Sequence, residues 1–386
     1  MAYALKPGPG GAEAYVNKGF VEALAKSNSG YQLVVLHGNA SNAPWMESLQ
    51  GAQCIPCGNS NNKGLVFRLL NKWSHLRWGY GWKLKGFENR ANKRLKKALK
   101  DKPKSILYAR CLPFSSLAVL EGFPQHYRWA NINDPMPPDL WHATYAYSPS
   151  ALAKWKLKCH KLLHSLDGWT YPAEGLKTIM EQGVPCLKKK PQVLLRHAVP
   201  LQVDPSIPSG NTLVFKGGLS ARNQDASFIE ALKALKPEHQ KQLTIRWIVP
   251  HLSPGTQNYL DAMPVKTELC IGNDEQTIAQ WMNEAAGFLF LGFEGDQPLL
   301  YTKLCEYLQY NKPILGLCPP DSLSAKLLEG EEGNGLVPLG NAEGCAQIIT
   351  AWMEGKLGAF SKDLRAAFDA QNQIHKLLEA FKTHCS

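Results

Sequence analysis

The sequence predicts an α/β protein built from two doubly wound, Rossmann-like domains facing a central cleft. Three observations carry that expectation. Short apolar runs alternate with amphipathic stretches, most regularly in the second half, the pattern of a parallel sheet covered on both faces. The chain has 386 residues, 44% of them hydrophobic, enough for two domains with a core each. Residues 198–210 hold three prolines and no periodicity, and read as the linker between domains 1–200 and 201–365.

The first domain opens with a short strand over 1–5, a glycine turn over 6–11 and an amphipathic helix over 12–25. So short a first strand implies further residues upstream of Met1. Strands follow at 31–37 and 53–56. Residues 63–104 carry 14 Lys/Arg against two acids, interleaved with Trp73, Trp78, Tyr80, Trp82 and Phe87. Gly79 and Gly81 divide this stretch into two helices. A strand is expected at 105–110, a helix at 115–122, and a strand at 127–133 that runs into Asp134-Pro135-Met136-Pro137-Pro138, where prolines stop it. Helices over 149–163 and 173–182 and a strand at 193–197 complete the domain.

The second domain alternates regularly: strands at 213–215, 243–249, 268–271, 288–291 and 314–317, with helices at 225–235, 275–284, 322–328 and 342–353 and a short one before 268. A helix over 367–381 closes the chain.

The informative stretch is 287–317. Residues 288–291 form an apolar strand, 293–298 a loop with glycine, proline and two carboxylates, and a helix begins at Leu299 with Leu300, Leu304 and Leu308 as its buried stripe. Thr302, Lys303 and Glu306 fall on the other flank. Asn311 stands where a helix takes a left-handed terminator, and Pro313 blocks continuation. A loop and helix N-terminus beyond the carboxyl end of a parallel strand is where ligands bind in open α/β sheets, and an anion is favoured there. Lys303 adds positive charge, and Glu306, one turn on, can accept hydrogen bonds from hydroxyls. A phosphate receiver beside a hydroxyl receiver suits a nucleotide-sugar. After the first strand of this domain, Lys216-Gly217-Gly218-Leu219-Ser220-Ala221-Arg222-Asn223 offers a second such loop: glycine lets backbone approach a phosphate, and arginine can clamp one.

The run TKLCEYLQYNKPILGL resembles the donor-binding segment of retaining glycosyltransferases of the GT-B fold (glycosyltransferase group 1, family 4-like), in which Lys-Leu-x-Glu-Tyr-Leu precedes a Gly-Lys-Pro turn. Asn311 stands at the usual glycine. Of the family's two glutamates, Glu306 matches the second, Pro298 occupies the place of the first, and Glu294 lies further upstream. The resemblance implies a donor site of Gly217, Gly218, Arg222, Glu294, Thr302, Lys303 and Glu306. Gly10 and Gly11, in a first-domain loop similar to the family's Pro-x-Gly-Gly-Ala-Glu, join it from across the cleft. Asp134 resembles an Asp-Pro loop of the acceptor domain and, with Arg222 and Lys303, completes the catalytic set. The terminal helix, 366–386, is similar to the family's helix that returns to the first domain.

The implied activity is transfer of a sugar from a nucleotide-diphosphate sugar, with retention, to a saccharide or lipid-linked acceptor in cell-envelope or surface polysaccharide synthesis. No cofactor is implied. No Asp-x-Asp occurs, so the metal–diphosphate device of the other main transferase fold is missing and no metal is expected. A lone CxxC, Cys54 and Cys57, has no second pair at zinc spacing. Ten cysteines scattered through a long chain fit reduced thiols in the cytoplasm better than a disulfide framework, and no apolar run approaches the ~20 residues that span a bilayer. Residues 1–200 carry 28 Lys/Arg and 11 Asp/Glu, residues 201–386 carry 15 and 21. The surplus at 63–104, beside aromatic rings, suits an anionic membrane surface and hence peripheral attachment at its inner face. The same chemistry suits nucleic acid. Two other readings therefore stand beside glycosyl transfer: a nucleotide-sugar epimerase on the same fold, and a non-catalytic nucleic-acid-binding protein.

Overall fold

The computed structural model describes residues 12–27, 29–58, 65–78, 82–110, 115–137, 140, 149–197, 210–272, 274–295 and 298–385. They form two compact units, one of Glu13–Ala198 with Ala370–Ser386, the other of Val199–Asp369.

In the first unit the order is α1 (Ala12–Lys26), β1 (Leu33–His37), α2 (Pro44–Glu47), β2 (Ala52–Pro56), α3 (Leu65–Trp78), α4 (Trp82–Ala98), β3 (Ile106–Arg110), α5 (Ser115–Val119), β4 (Tyr127–Asn131), α6 (Pro149–His164), β5 (Gly168–Tyr171), α7 (Glu174–Gly183) and β6 (Gln192–Leu194). β1 and β2 pair in parallel, and β3 to β6 form a four-stranded parallel sheet in sequence order. The two helices expected within 63–104 are α3 and α4. α4 is amphipathic: Phe87, Ala91 and Leu95 recur every four residues and are buried, while Lys93, Arg94, Lys96 and Lys97 are exposed.

The second unit runs β7 (Thr212–Lys216), α8 (Ala226–Ala234), α9 (Pro237–Gln242), β8 (Thr244–Val249), α10 (Pro254–Asp261), β9 (Lys266–Ile271), α11 (Glu275–Glu284), β10 (Gly287–Leu291), α12 (Thr302–Gln309), β11 (Ile314–Cys318), α13 (Leu323–Leu328), β12 (Asn334–Pro338), α14 (Ala342–Met353) and α15 (Lys362–Ala366). Its six strands are all parallel, in the order β12-β11-β10-β7-β8-β9. Read by position in the unit, that is the doubly wound dinucleotide-fold order, with its reversal between β7 and β10. β10 and β11 are buried at every residue, which is why they read as unbroken apolar runs. Asp225, Ser253, Asp274, Ser322 and Asn341 each cap a helix by accepting a first-turn N–H. Asn311 has φ +52°, the left-handed terminator expected of it, and its Oδ1 accepts from the Phe360 N–H at 3.2 Å.

The expected terminal helix, 367–381, is α16 (Ala370–His384), which begins three residues late, after α15 stops at Ala366 and a break at which Phe368 is buried. α16 belongs to the first unit. Its Ile374, Leu377 and Phe381 share a core with Phe20 and Val21 of α1 and Trp129 of β4, and Gln373 Oε1 accepts from the Arg196 N–H at 2.8 Å.

Candidate functional site

The reversal of strand order directs the connections after β7 and β10 to opposite faces and opens a crevice at the carboxyl ends of those two strands. The residues singled out in the second unit gather there.

β7 ends at Lys216. Gly217 follows with φ +140°, a conformation that excludes a side chain at low cost, and a Cβ there would stand 3.8 Å from Lys303 Cδ. The loop then closes on itself: the buried Asn223 accepts the Ser220 N–H at 2.8 Å and donates to the Gly218 carbonyl at 3.0 Å. Arg222 is exposed, its guanidinium 5.9 Å from the ring centre of Phe293 in the loop after β10. Gly218 and Glu294 are also exposed on these two loops.

α12 begins at Thr302, three residues later than expected. The residues before it are extended, because Tyr301 places its ring against Phe290 (5.3 Å) and Phe293 (6.2 Å). Tyr301 stands at the N-cap of α12 and makes no side-chain cap bond. Lys303 Nζ donates to the Leu291 carbonyl at 3.1 Å, the last residue of β10, and lies 4.6 Å, 5.0 Å and 5.2 Å from the rings of Phe290, Phe215 and Tyr301. Aromatic faces hold a cation without cancelling its charge.

Glu306 corrects the expected helix surface. It does not lie on a solvent flank: it is 6% exposed, and every residue from Leu304 to Gln309 is buried. Its Oε1 accepts from Lys216 Nζ at 2.5 Å. The neighbouring Tyr307 stacks on Phe288 at 4.4 Å, and its hydroxyl accepts the Lys216 N–H at 2.7 Å. Two consecutive residues of α12 thus fasten the end of β7 by side chain and backbone, and the second face of the helix becomes an inner one. Burial, then the negative charge of Glu306, hold the Tyr307 hydroxyl far above its usual ionisation range despite its bond to the Lys216 backbone.

The structure therefore brings Gly217, Thr302, Lys303 and Glu306 together and sets Arg222 beside the loop that carries Glu294. It adds Lys216, which opens the glycine loop in the sequence but has no assigned role there. Asp134 stands in the first unit, three residues beyond β4, and is half-buried. Gly10 and Gly11 lie outside the described residues. Cys54 and Cys57 are unbridged, and burial raises both thiol pKa values, away from the reactive thiolate.

No family model and no curated protein sequence matches the chain. Solved structures do. Anabaena HepE in complex with UDP and glucose superposes with a TM-score of 0.63 at 15% identity, over 99% of this chain and 98% of that one. A glycosyltransferase from Rickettsia africae gives 0.64 at 13% identity, over 98% and 96%. The chain has the GT-B fold. A putative UDP-N-acetylglucosamine 2-epimerase from Listeria monocytogenes gives 0.56 at 10% identity, over 98% of this chain and 93% of that one.

Proposed function

We propose that this chain is a glycosyltransferase that uses a nucleotide-diphosphate sugar. The observation that carries the reading is the crevice between β7 and β10, where two cations, Lys216 and Lys303, and a buried carboxylate, Glu306, surround a glycine turn. In the proposed complex the diphosphate lies along Gly217 and the start of α12, held by Lys303 and Arg222. Glu306 keeps acceptor capacity beyond the oxygen bonded to Lys216 and takes the ribose hydroxyls. Charge that develops on the departing diphosphate is met by these fixed cations and backbone donors. Gly10, Gly11, Gly218, Glu294 and Thr302 are assigned to the same donor, and Asp134 to the acceptor side. Retention of configuration, independence of divalent metal and absence of a cofactor belong to the same proposal. The acceptor is a saccharide or lipid-linked saccharide of the cell envelope.

For partners, the reading adds an anionic membrane face bound through residues 63–104, with the protein attached peripherally on the cytoplasmic side. Among the described residues no helix is long and apolar enough to cross a membrane. Trp73 is 50% exposed on α3 and Leu157 75% on α6, two helices that pack together, which gives the basic helices apolar groups to insert.

The test is calorimetry against nucleoside diphosphates and their sugars, followed by product analysis with and without acceptor. Binding of a nucleotide-sugar with turnover only when acceptor is present supports transfer. A changed sugar without acceptor makes the protein an epimerase. Steeply salt-dependent nucleic-acid binding with no nucleotide-sugar binding rejects both. Activity lost to EDTA and restored by manganese removes metal independence.

A further inference from the structure

The first unit carries a second polar centre that the donor reading does not use. Tyr108, Trp129 and Gly168 stand in register across β3, β4 and β5. Their face is apolar: Phe381 of α16 packs on Tyr108 at 5.9 Å and on Trp129 at 5.3 Å, and Phe20 of α1 stacks on Tyr108 at 5.6 Å. Two residues further along each strand, hence on the same face, the next registered row is Arg110, Asn131 and Thr170. All three are polar and buried, with Arg110 3% and Asn131 1% exposed.

Their hydrogen bonds do not close. Thr170 Oγ1 meets the Tyr108 hydroxyl at 2.7 Å and accepts from Asn131 Nδ2 at 3.0 Å. Arg110 Nε donates to Asn17 Oδ1 of α1, and its guanidinium lies 4.7 Å from the ring centre of Phe20. Among the described residues no carboxylate pairs with Arg110, its side-chain hydrogen bond is the one from Nε to Asn17, and Asn131 Oδ1 is buried and unsatisfied. A buried cation without a counter-ion and an amide end withheld from water are costly unless something answers them. They stand at the carboxyl end of a parallel sheet, where α/β folds bind ligands.

We infer that Arg110 and Asn131 bind a hydroxylated anion, a sugar or polyol bearing a phosphate or carboxylate. The planar fork of Arg110 takes two oxygens of the anionic group, and the open end of the Asn131 amide takes a hydroxyl. If the chain transfers sugars, this is an acceptor subsite and the acceptor saccharide is anionic. That last identification rests on the proposed function, whereas the anion site does not.

Calorimetry with glucose 6-phosphate, glucuronate and neutral glucose, without nucleotide or turnover, tests it in four proteins: wild type, Lys303→Ala, Arg110→Gln and Asn131→Asp. Wild type and Lys303→Ala bind one or both anionic sugars equally, and glucose far more weakly. Which of the two binds separates phosphate from carboxylate. Arg110→Gln weakens binding about 10- to 100-fold, the range for a lost charged hydrogen bond. Asn131→Asp, nearly isosteric, gives Arg110 an internal counter-ion, so it raises the melting temperature while abolishing anion binding. A purely structural arginine would not couple those two effects. The inference fails if wild type binds neither anion, if glucose binds as well as they do, if Lys303→Ala alone removes binding, or if Asn131→Asp binds like wild type.

Discussion

Lys216 and Glu306 stand 90 residues apart in sequence and meet at 2.5 Å, joining the last residue of β7 to the second turn of α12. Glu306 is almost wholly buried, and Lys216 keeps about a quarter of its side chain in solvent. Removal of the lysine strands a buried carboxylate, whereas removal of the glutamate leaves a cation that can reach water. The two truncations are therefore unequal. Lys216→Met is expected to destabilise the protein by about 1–3 kcal/mol, and Glu306→Gln by less. A double-mutant cycle read by urea denaturation should return a coupling of about 0.5–3 kcal/mol. Additive effects would mean that the pair contributes nothing to the fold.

The proposed function divides these residues kinetically. In the proposed complex Lys303 faces the position where negative charge grows as the glycosidic bond breaks, so its contribution should be larger in the transition state than in the ground state. Lys303→Ala should chiefly lower kcat. In the same proposal Glu306 takes hydroxyls that do not change during reaction, so Glu306→Ala should chiefly raise the donor KM, by the equivalent of roughly 1.5–3 kcal/mol for a hydrogen bond to a charged group. Initial rates over a donor concentration series in both variants decide it. Wild-type kinetics in Glu306→Ala would remove the donor site as drawn.

Much of the second unit was legible because fully buried parallel strands announce themselves. GFLFL and ILGLC are apolar runs bounded by glycine, proline or asparagine. β12, NGLVP, was missed: it opens on a turn-like pair and ends on proline, yet pairs along β11. β5, GWTY, is four residues with a glycine and a threonine, too short to show a period, and its burial comes from its neighbours β4 and β6. α9, PEHQKQ, has no apolar residue and is held by its place between α8 and β8. In the site, Lys303 and Glu306 were found because helical spacing relates them. Lys216 was not, because its partner is chosen by the strand order that sets β7 beside β10. The row of Arg110, Asn131 and Thr170 was hidden for the same reason, since only sheet register assembles it.

Lys312 gives a pH signature. Its side chain is buried and donates to the carbonyls of Asn283 at 2.6 Å and Met282 at 3.5 Å, closing the end of α11. Desolvation lowers its pKa from 10.5 to about 8. Between those two values the unfolded chain holds a proton that the folded one has released, so stability rises with pH across that window. The urea midpoint of wild type should climb from about pH 8 towards pH 10 through this group, and Lys312→Met should flatten that part of the profile. An unchanged slope in the variant would assign the effect to other groups.

The basic helices supply the last prediction. α4 buries Phe87, Ala91 and Leu95 and turns Lys93, Arg94, Lys96 and Lys97 outward. These cations have no role in the core, so their reversal to glutamate should leave folding and nucleotide-sugar binding intact. Each Lys or Arg near an anionic surface contributes about 1 kcal/mol, and four reversals both remove that attraction and add repulsion. Trp73 and Leu157, exposed on α3 and α6, supply the apolar part that salt does not screen. Sedimentation with vesicles of phosphatidylglycerol and phosphatidylcholine should therefore show three behaviours. Wild type binds at low salt and more weakly at high salt. The fourfold reversal stays in the supernatant at any salt. Trp73→Ala with Leu157→Ala binds at low salt but is released at a lower salt concentration than wild type. Failure of the wild type to bind at low salt would end the membrane reading and leave the basic face to another polyanion.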